Sequence, residues 1–312
     1  MTIKIIKGAL PEEEIPQTPA KLVVSQEQLT VACCQLESEV VETKEQWQAN
    51  LEKAIDCIDQ LAGENVDLVS FPEMYLCNYM AQQESRYFAE PVPGPTSIEL
   101  AEVAKKHDLY IVMGMPIIAQ GFPGLVKNAA VVIGPDGVHG EYSKTTLPTF
   151  APKSGLVTEG NHWTPGLTFP LFKMRGWAIG ILICQDCYLP EIPRIYALKG
   201  AQLLLTISAG PSKLADGWDI VLPTRALENA VFHAYCNVVG TFRGTAFFGG
   251  NRLIAPTTEV LVEGPKDKEA IVIGTMNINT LYDARCEFPA LRPGYDLQPY
   301  LYELLTKTAR YP

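Results

Sequence analysis

The chain has 312 residues, 47% of them apolar and 19% charged, with a formal net charge of −10. Such a composition is ordinary for a folded chain with a sizeable core. An acidic surface with no basic stripe argues against a nucleic-acid partner, which must be met by Lys/Arg that displace counterions, and against an anionic membrane surface. No apolar run approaches the roughly 18 residues that a membrane-spanning helix needs, and residues 1–30 lack the pattern of a secretory signal. Of the cysteines Cys33, Cys34, Cys57, Cys77, Cys184, Cys187, Cys236 and Cys286, most sit within apolar patterns. Reduced core cysteines and a cytoplasmic location are therefore expected.

Residues 1–27 carry three prolines and the run Glu12-Glu13-Glu14, and read as an irregular amino-terminal extension. The near-continuous apolar run at 29–36 predicts a strand buried on both faces. Trp47, Leu51, Ile55, Ile58 and Leu61 recur at helical spacing and predict an amphipathic helix closing near Gly63. A second strand over 66–71 runs straight into Pro72-Glu73. Thr96-Ser97-Ile98-Glu99 has capping-box spacing and opens a helix to about His107, followed by a strand at 109–114. Residues 129–133 and 138–142 flank Pro135-Asp136-Gly137 as a hairpin, with Lys144 just beyond. The Pro/Gly-rich segment 148–166 reads as a long loop, and long loops in compact domains are usually functional.

The apolar run Gly180-Ile181-Leu182-Ile183 then stops abruptly at Cys184-Gln185-Asp186-Cys187, and a short helix over 191–199 follows with its prolines near the start. A strand at 201–207, a helix at 222–234, strands at 238–242, 251–255, 260–262 and 270–278, and a short helix leading to an extended tail complete the chain. Strand–helix alternation with hairpins in both halves indicates a layered α/β fold. No linker or repeat divides it.

Three side chains at or just beyond strand ends carry the candidate chemistry. Cys184 ends a buried strand and precedes a helix start, the placement that exposes a nucleophile at a sharp turn. A buried inert thiol is the commoner fate of a cysteine, and Cys184 with Cys187 also fits a redox or metal-binding C-x-x-C. Zinc wants four ligands, however, and no second pair at metal spacing exists; His107, His139, His162 and His233 are isolated. Glu73 is either a helix-start carboxylate interacting with the dipole or a partly desolvated general base. Lys144 is ordinarily a solvated surface residue, unless an anion beside it needs a cation.

Phe71-Pro72-Glu73, Tyr142-Ser143-Lys144 and Ile183-Cys184-Gln185-Asp186, with Pro190-Glu191 closing the last, resemble the three motifs of the nitrilase superfamily of carbon–nitrogen hydrolases. Arg225-Ala226-Leu227-Glu228-Asn229, residues 237–240, Phe248-Gly249-Gly250-Asn251 and Pro256 extend the resemblance over residues 28–292. The resemblance implies a four-layer αββα sandwich with two mixed β-sheets, a hydrolase domain over 28–292 and a tail over 293–312 at a dimer interface. It implies a Glu73-Lys144-Cys184 triad with Glu73 as base, Lys144 and the Gln185 backbone N–H holding the oxyanion, and Cys184 as nucleophile. Glu159 matches the family's second glutamate, which would orient Lys144 and the substrate amine. The chemistry needs no cofactor and no metal.

Two positions depart from the family pattern. Gln185 stands where an aromatic residue is common, and Thr146 where histidine is common; both are expected to line the pocket. Segments near Tyr79, Phe150, Tyr188 and residues 209–211 are expected there too, with Trp218 in the core or at the pocket rim. Because Cys184-Gln185-Asp186 differs from the Cys-Trp-Glu of nitrilases proper, a small linear amide is the expected substrate. An N-carbamoyl amide and a nitrile are the alternatives, and a catalytically silent scaffold is the reading from another class. A homodimer or larger homo-oligomer is expected by the same resemblance.

Overall fold

The computed structural model describes residues 4–9, 26–119, 121, 124–150, 157–288, 291, 300–304 and 306–307. In chain order the strands begin β1 (Lys4–Ala9), β2 (Gln28–Gln35), β3 (Leu68–Ser70), β4 (Tyr110–Ile118), β5 (Val126–Gly134) and β6 (Gly137–Ser143). A small ribbon follows, β7 (Thr149–Phe150) with β8 (Val157–Thr158). Next come β9 (Leu171–Met174), β10 (Trp177–Ile183), β11 (Leu203–Ser208) and β12 (Phe232–Asn237). The hairpin β13 (Val239–Phe242) and β14 (Thr245–Phe248) precedes β15 (Arg252–Ile254), β16 (Val260–Glu263) and β17 (Ala270–Asn277). The helices are α1 (Lys44–Asp59), α2 (Pro95–His107), α3 (Glu159–His162), α4 (Glu191–Leu198), α5 (Ala215–Asn229) and α6 (Ile278–Glu287).

A seven-stranded sheet in the order β1-β17-β2-β3-β4-β5-β6 faces a six-stranded sheet in the order β16-β15-β12-β11-β10-β9. Each has a parallel centre, β2-β3-β4 in one and β10-β11-β12 in the other, with antiparallel neighbours. This is the expected αββα sandwich of two mixed sheets. The alternation of side chains along β2 shows how it is built. Leu29, Val31 and Cys33 enter the core shared with the second sheet, while Ala32 and Cys34 enter the core under α1 and α2. Cys236 Sγ on β12 donates to the carbonyls of Ser70 (3.2 Å) and Cys34 (3.5 Å), tying the two sheets together. On the other face of the second sheet, His233 sits fully buried between Thr206 Oγ1 (2.8 Å) and the Leu222 carbonyl (3.1 Å), pinning β12 to α5. Burial pushes its imidazole down to about 4, so it is a neutral core residue.

The structure corrects several sequence expectations. Within the amino-terminal extension, residues 4–9 form an edge strand parallel to β17; its partner comes from the far end of the chain, so no local signal marks it. Residues 10–25 lie outside the described residues. The α2 cap is not the Thr96/Glu99 pair. Ser97 Oγ accepts from the Gly94 N–H (2.9 Å), while Glu90 takes both the N–H and the hydroxyl of Thr96. The helix expected at 222–234 starts at Ala215 and ends at Asn229. Pro223, which reads as a first-turn residue, lies inside it, and Ala230 closes it in the left-handed conformation (φ 46°). The next residues form β12, a central strand parallel to β11 and antiparallel to β15. The loop expected at 148–166 holds β7, β8 and α3; residues 151–156 lie outside the described residues, as does most of the tail over 293–312.

Candidate active site

Three backbone placements bring the candidate residues together. Beyond β3, the Phe71 N–H bonds the Val112 carbonyl (2.9 Å), and the chain then turns through Pro72-Glu73 into Met74, which is left-handed (φ 53°). That turn lies directly on β4: a Cβ on Gly114 would come within 1.9 Å of the Pro72 carbonyl oxygen, so only glycine fits there. Beyond β6, the Lys144 N–H bonds the Asn128 carbonyl and its own carbonyl takes the Gly166 N–H, each at 2.8 Å. Beyond β10, Cys184 itself is left-handed (φ 47°) and opens a 3-10 turn, Cys184–Tyr188. For a non-glycine residue this conformation is uncommon and strained, and such residues cluster at functional sites.

The side chains of Glu73, Lys144 and Glu159 are buried together. Lys144 Nζ donates to Glu73 Oε1 at 2.7 Å and to Glu159 Oε1 at 2.8 Å. Glu73 Oε1 also accepts from Asn128 Nδ2 (2.7 Å), and Glu73 Oε2 accepts from the Ala209 N–H (2.8 Å). Glu159 Oε1 accepts in addition from the Tyr79 hydroxyl (2.7 Å), whereas its Oε2 is buried without a protein partner among the described residues. Burial alone would lower the Lys144 ammonium, but Glu159, Glu73 and Cys184 together hold it above the ordinary lysine range. Burial, opposed by Lys144 and reinforced by Glu73, pushes Glu159 up to about 7. Cys184 keeps partial exposure, yet its dense surroundings and then Glu73 raise the thiol, outweighing Lys144 and Ser208, which lower it. These surroundings favour the thiol over the thiolate.

A sequence profile of the carbon-nitrogen hydrolases matches residues 30–285, most of the chain. The chain belongs to the carbon–nitrogen hydrolase family. Among its relatives, a probable nitrilase of Schizosaccharomyces pombe is 29% identical over 284 residues, covering 88% of this chain and 97% of the relative. An (R)-stereoselective amidase of Pseudomonas sp. is 29% identical over 244 residues, covering 78% and 84%. The fold matches the crystal structure of Saccharomyces cerevisiae Nit3, of the nitrilase superfamily, with a TM-score of 0.76 at 20% identity, covering 86% of this chain and 97% of that one. The protein is thus an enzyme acting on carbon–nitrogen bonds.

Within this carbon–nitrogen hydrolase, Glu73, Lys144 and Glu159 form one hydrogen-bonded cluster, and Cys184 stands close enough to feel all three charges. Gln185 is half-buried directly after Cys184. Tyr79 reaches the cluster through Glu159, and the side chain of Phe150 lies outside the described residues. Trp218 is a core residue, its ring 4.9 Å from both Tyr188 and Tyr235. Cys187 is fully buried, and burial pushes its thiol up to about 12, whereas Cys184 keeps partial exposure. Among the described residues no group of three or more His, Cys, Asp or Glu could hold a metal ion.

Thr146, half-buried, is bound to Asp186: its N–H (2.8 Å) and its hydroxyl (2.7 Å) both reach Asp186 Oδ1. The other oxygen, Oδ2, accepts from the Tyr142 hydroxyl (2.8 Å) and the Ile183 N–H (3.1 Å). One buried carboxylate therefore joins the lysine segment to the cysteine turn. Arg225 braces that turn from α5, its Nε donating to the Cys187 carbonyl (2.8 Å) and its Nη2 to the Tyr188 carbonyl (3.2 Å). Sequence reasoning missed Asn128 and the bonding of Asp186, and it placed residues 209–211 at the pocket without the bond from the Ala209 N–H to Glu73. The one local signal for Asn128 was a polar residue directly before the apolar run 129–133.

Proposed function

We propose that the enzyme hydrolyses the amide bond of a small linear amide through a cysteine thioester. The observation that carries this reading is one ammonium, Lys144, shared between two buried carboxylates beside a strained cysteine. Glu73 takes the Cys184 proton as the sulfur attacks the carbonyl carbon. Lys144 and the Gln185 N–H hold the oxyanion, with preorganised donors in a buried site. The C–N bond breaks, Glu73 returns the proton to the departing nitrogen, and ammonia or an amine leaves. A water deprotonated by Glu73 then attacks the thioester, releasing the carboxylic acid and the thiol. Glu159 orients Lys144, and its unpartnered Oε2 is a free acceptor suited to an N–H of the substrate.

The relatives bear the names of both a nitrilase and an amidase. The Cys184-Gln185-Asp186 sequence, unlike the Cys-Trp-Glu of nitrilases proper, favours the amide. The deciding experiment supplies parent and Cys184→Ala proteins with amides, N-carbamoyl amines and nitriles, and measures ammonia and carbon dioxide. Amides turned over by the parent alone, with no carbon dioxide, support the reading. Equal rates for the two proteins on every accepted substrate would remove Cys184 from the mechanism. Mass analysis with a slow substrate is expected to place the acyl adduct on Cys184 and not on Cys187.

No described helix is long and apolar enough to cross a membrane, which is consistent with the cytoplasmic location we propose. Leu189, Ile220 and Leu227 expose apolar surface on and before the outer helices α4 and α5. That surface supports a homo-oligomer assembled through this layer.

A further inference from the structure

Asn128, near the start of β5, bears no charge yet contacts two members of the site. Its carbonyl accepts the Lys144 backbone N–H (2.8 Å), while its Nδ2 donates to Glu73 Oε1 (2.7 Å). The same Oε1 takes Lys144 Nζ at 2.7 Å. A carboxylate oxygen offers two lone-pair sites, so Oε1 is saturated. Glu73 Oε2 takes only the Ala209 N–H, at 2.8 Å, among the described residues, and retains one open site. Asn128 Oδ1 has no protein partner among the described residues. The orientation of the amide is therefore set by Glu73, since turning it over would put oxygen against a carboxylate oxygen. Asn128 is fully buried, which keeps solvent from supplying a substitute donor.

We propose that Asn128 is a positioning residue that assigns different tasks to the two oxygens of Glu73: Oε1 is held by Asn128 and Lys144, and Oε2 is the base. This rests on the reading of Glu73 as the base for Cys184. In the first step the S–H bond breaks, the proton goes to Oε2, and the sulfur electron pair forms the bond to the carbonyl carbon. When the tetrahedral species collapses, the C–N bond breaks and the proton on Oε2 passes to the departing nitrogen. Without Asn128, Oε1 regains an open site, and the carboxylate is no longer held with Oε2 as its one available acceptor.

The test follows the alkylation of Cys184 by iodoacetamide, read by peptide mass, in the parent, Asn128→Leu, Glu73→Gln and the double variant. Asn128→Leu is expected to slow alkylation about 10- to 100-fold, the worth of one hydrogen bond to a charged group, and Glu73→Gln by about 100-fold or more, the worth of a general base. With an amide substrate, Asn128→Leu should lower kcat by the same factor and leave KM within about threefold. The double variant should alkylate no slower than Glu73→Gln, because Asn128 then has no carboxylate to position. A double variant slower by the full Asn128 factor would mean that Asn128 acts independently of Glu73, and would overturn the proposal, as would parental rates in Asn128→Leu. Parental alkylation in Glu73→Gln would instead overturn the base reading on which this one stands. Asn128→Ala, the smaller truncation, answers the same questions should the leucine variant fail to fold.

Discussion

Glu159→Gln tests the electrostatics of the site through stability. In the native protein Glu159 is pushed up to about 7 from an ordinary glutamate value of 4.5, by burial first, against the pull of Lys144. A carboxyl whose folded value is raised binds more protons in the native state than in the unfolded one between those two values. Its contribution to stability is present below the unfolded value and is lost as pH rises through the folded one. At about 1.36 kcal/mol per unit, going from pH 5 to pH 8 removes about 2 to 3 kcal/mol. Glutamine keeps an oxygen for Lys144 and Tyr79 and cannot titrate in this range. Urea unfolding of both proteins at pH 5, 6, 7 and 8 isolates the residue, since every other titrating group is common to the pair. The parent should lose that amount relative to Glu159→Gln as pH rises, mostly between pH 5 and 7. Parallel stability curves would show that Glu159 is not raised, and would refute the account of how Lys144 divides its charge between two carboxylates.

Three further outcomes are expected. Lys144→Met should lower kcat by about 100- to 1000-fold through loss of the oxyanion cation, and should destabilise the fold by about 3–5 kcal/mol because two buried carboxylates lose their partner; steady-state kinetics and urea melts at pH 8 measure the two effects. Thr146→Val removes the 2.7 Å hydroxyl bond to Asp186 while keeping the backbone N–H bond. It should cost about 1.5–3 kcal/mol by urea unfolding and reduce kcat; no loss of either would show that the link between the lysine segment and the cysteine turn is idle. Trp177→Ala empties a fully buried site whose indole donates to the Gln26 carbonyl (3.0 Å), and should cost about 3–5 kcal/mol in the same unfolding assay.

Much of the site was legible because its residues terminate or closely follow apolar strands. Glu73 and Cys184 each follow one, and a strand buried on both faces leaves a run of apolar residues that stops where chemistry begins; Lys144 instead follows β6, a half-exposed edge strand marked by its turn. What escaped was set by contacts distant in sequence. Asn128 looks like an ordinary polar residue at the head of β5 until Glu73 is folded against it. Asp186 reads as a polar turn residue, and only the approach of Tyr142 and Thr146 shows it to be a junction. In the fold, β1 depends on β17, and β12 was hidden because Phe232–Asn237 follows a helical run with no breaker except Ala230, a residue that seldom adopts the left-handed conformation closing α5. The outline of β5 and β6 was clear, because Pro135-Asp136-Gly137 is a turn signal carried in the local sequence.

The cluster draws Glu73, Asn128 and Lys144 from the seven-stranded sheet, while Cys184 and the Ala209 N–H come from the six-stranded one. The distance from base to sulfur is therefore also the distance between two sheets, and the side chains wedged between them, such as Val132, Ile181 and Cys236, set it. Since reacting groups tolerate little misplacement and interiors pack as tightly as crystals, these apolar residues act as the spacers of a caliper. The core then does more than keep the chain folded: the width of the sandwich is a parameter of the reaction.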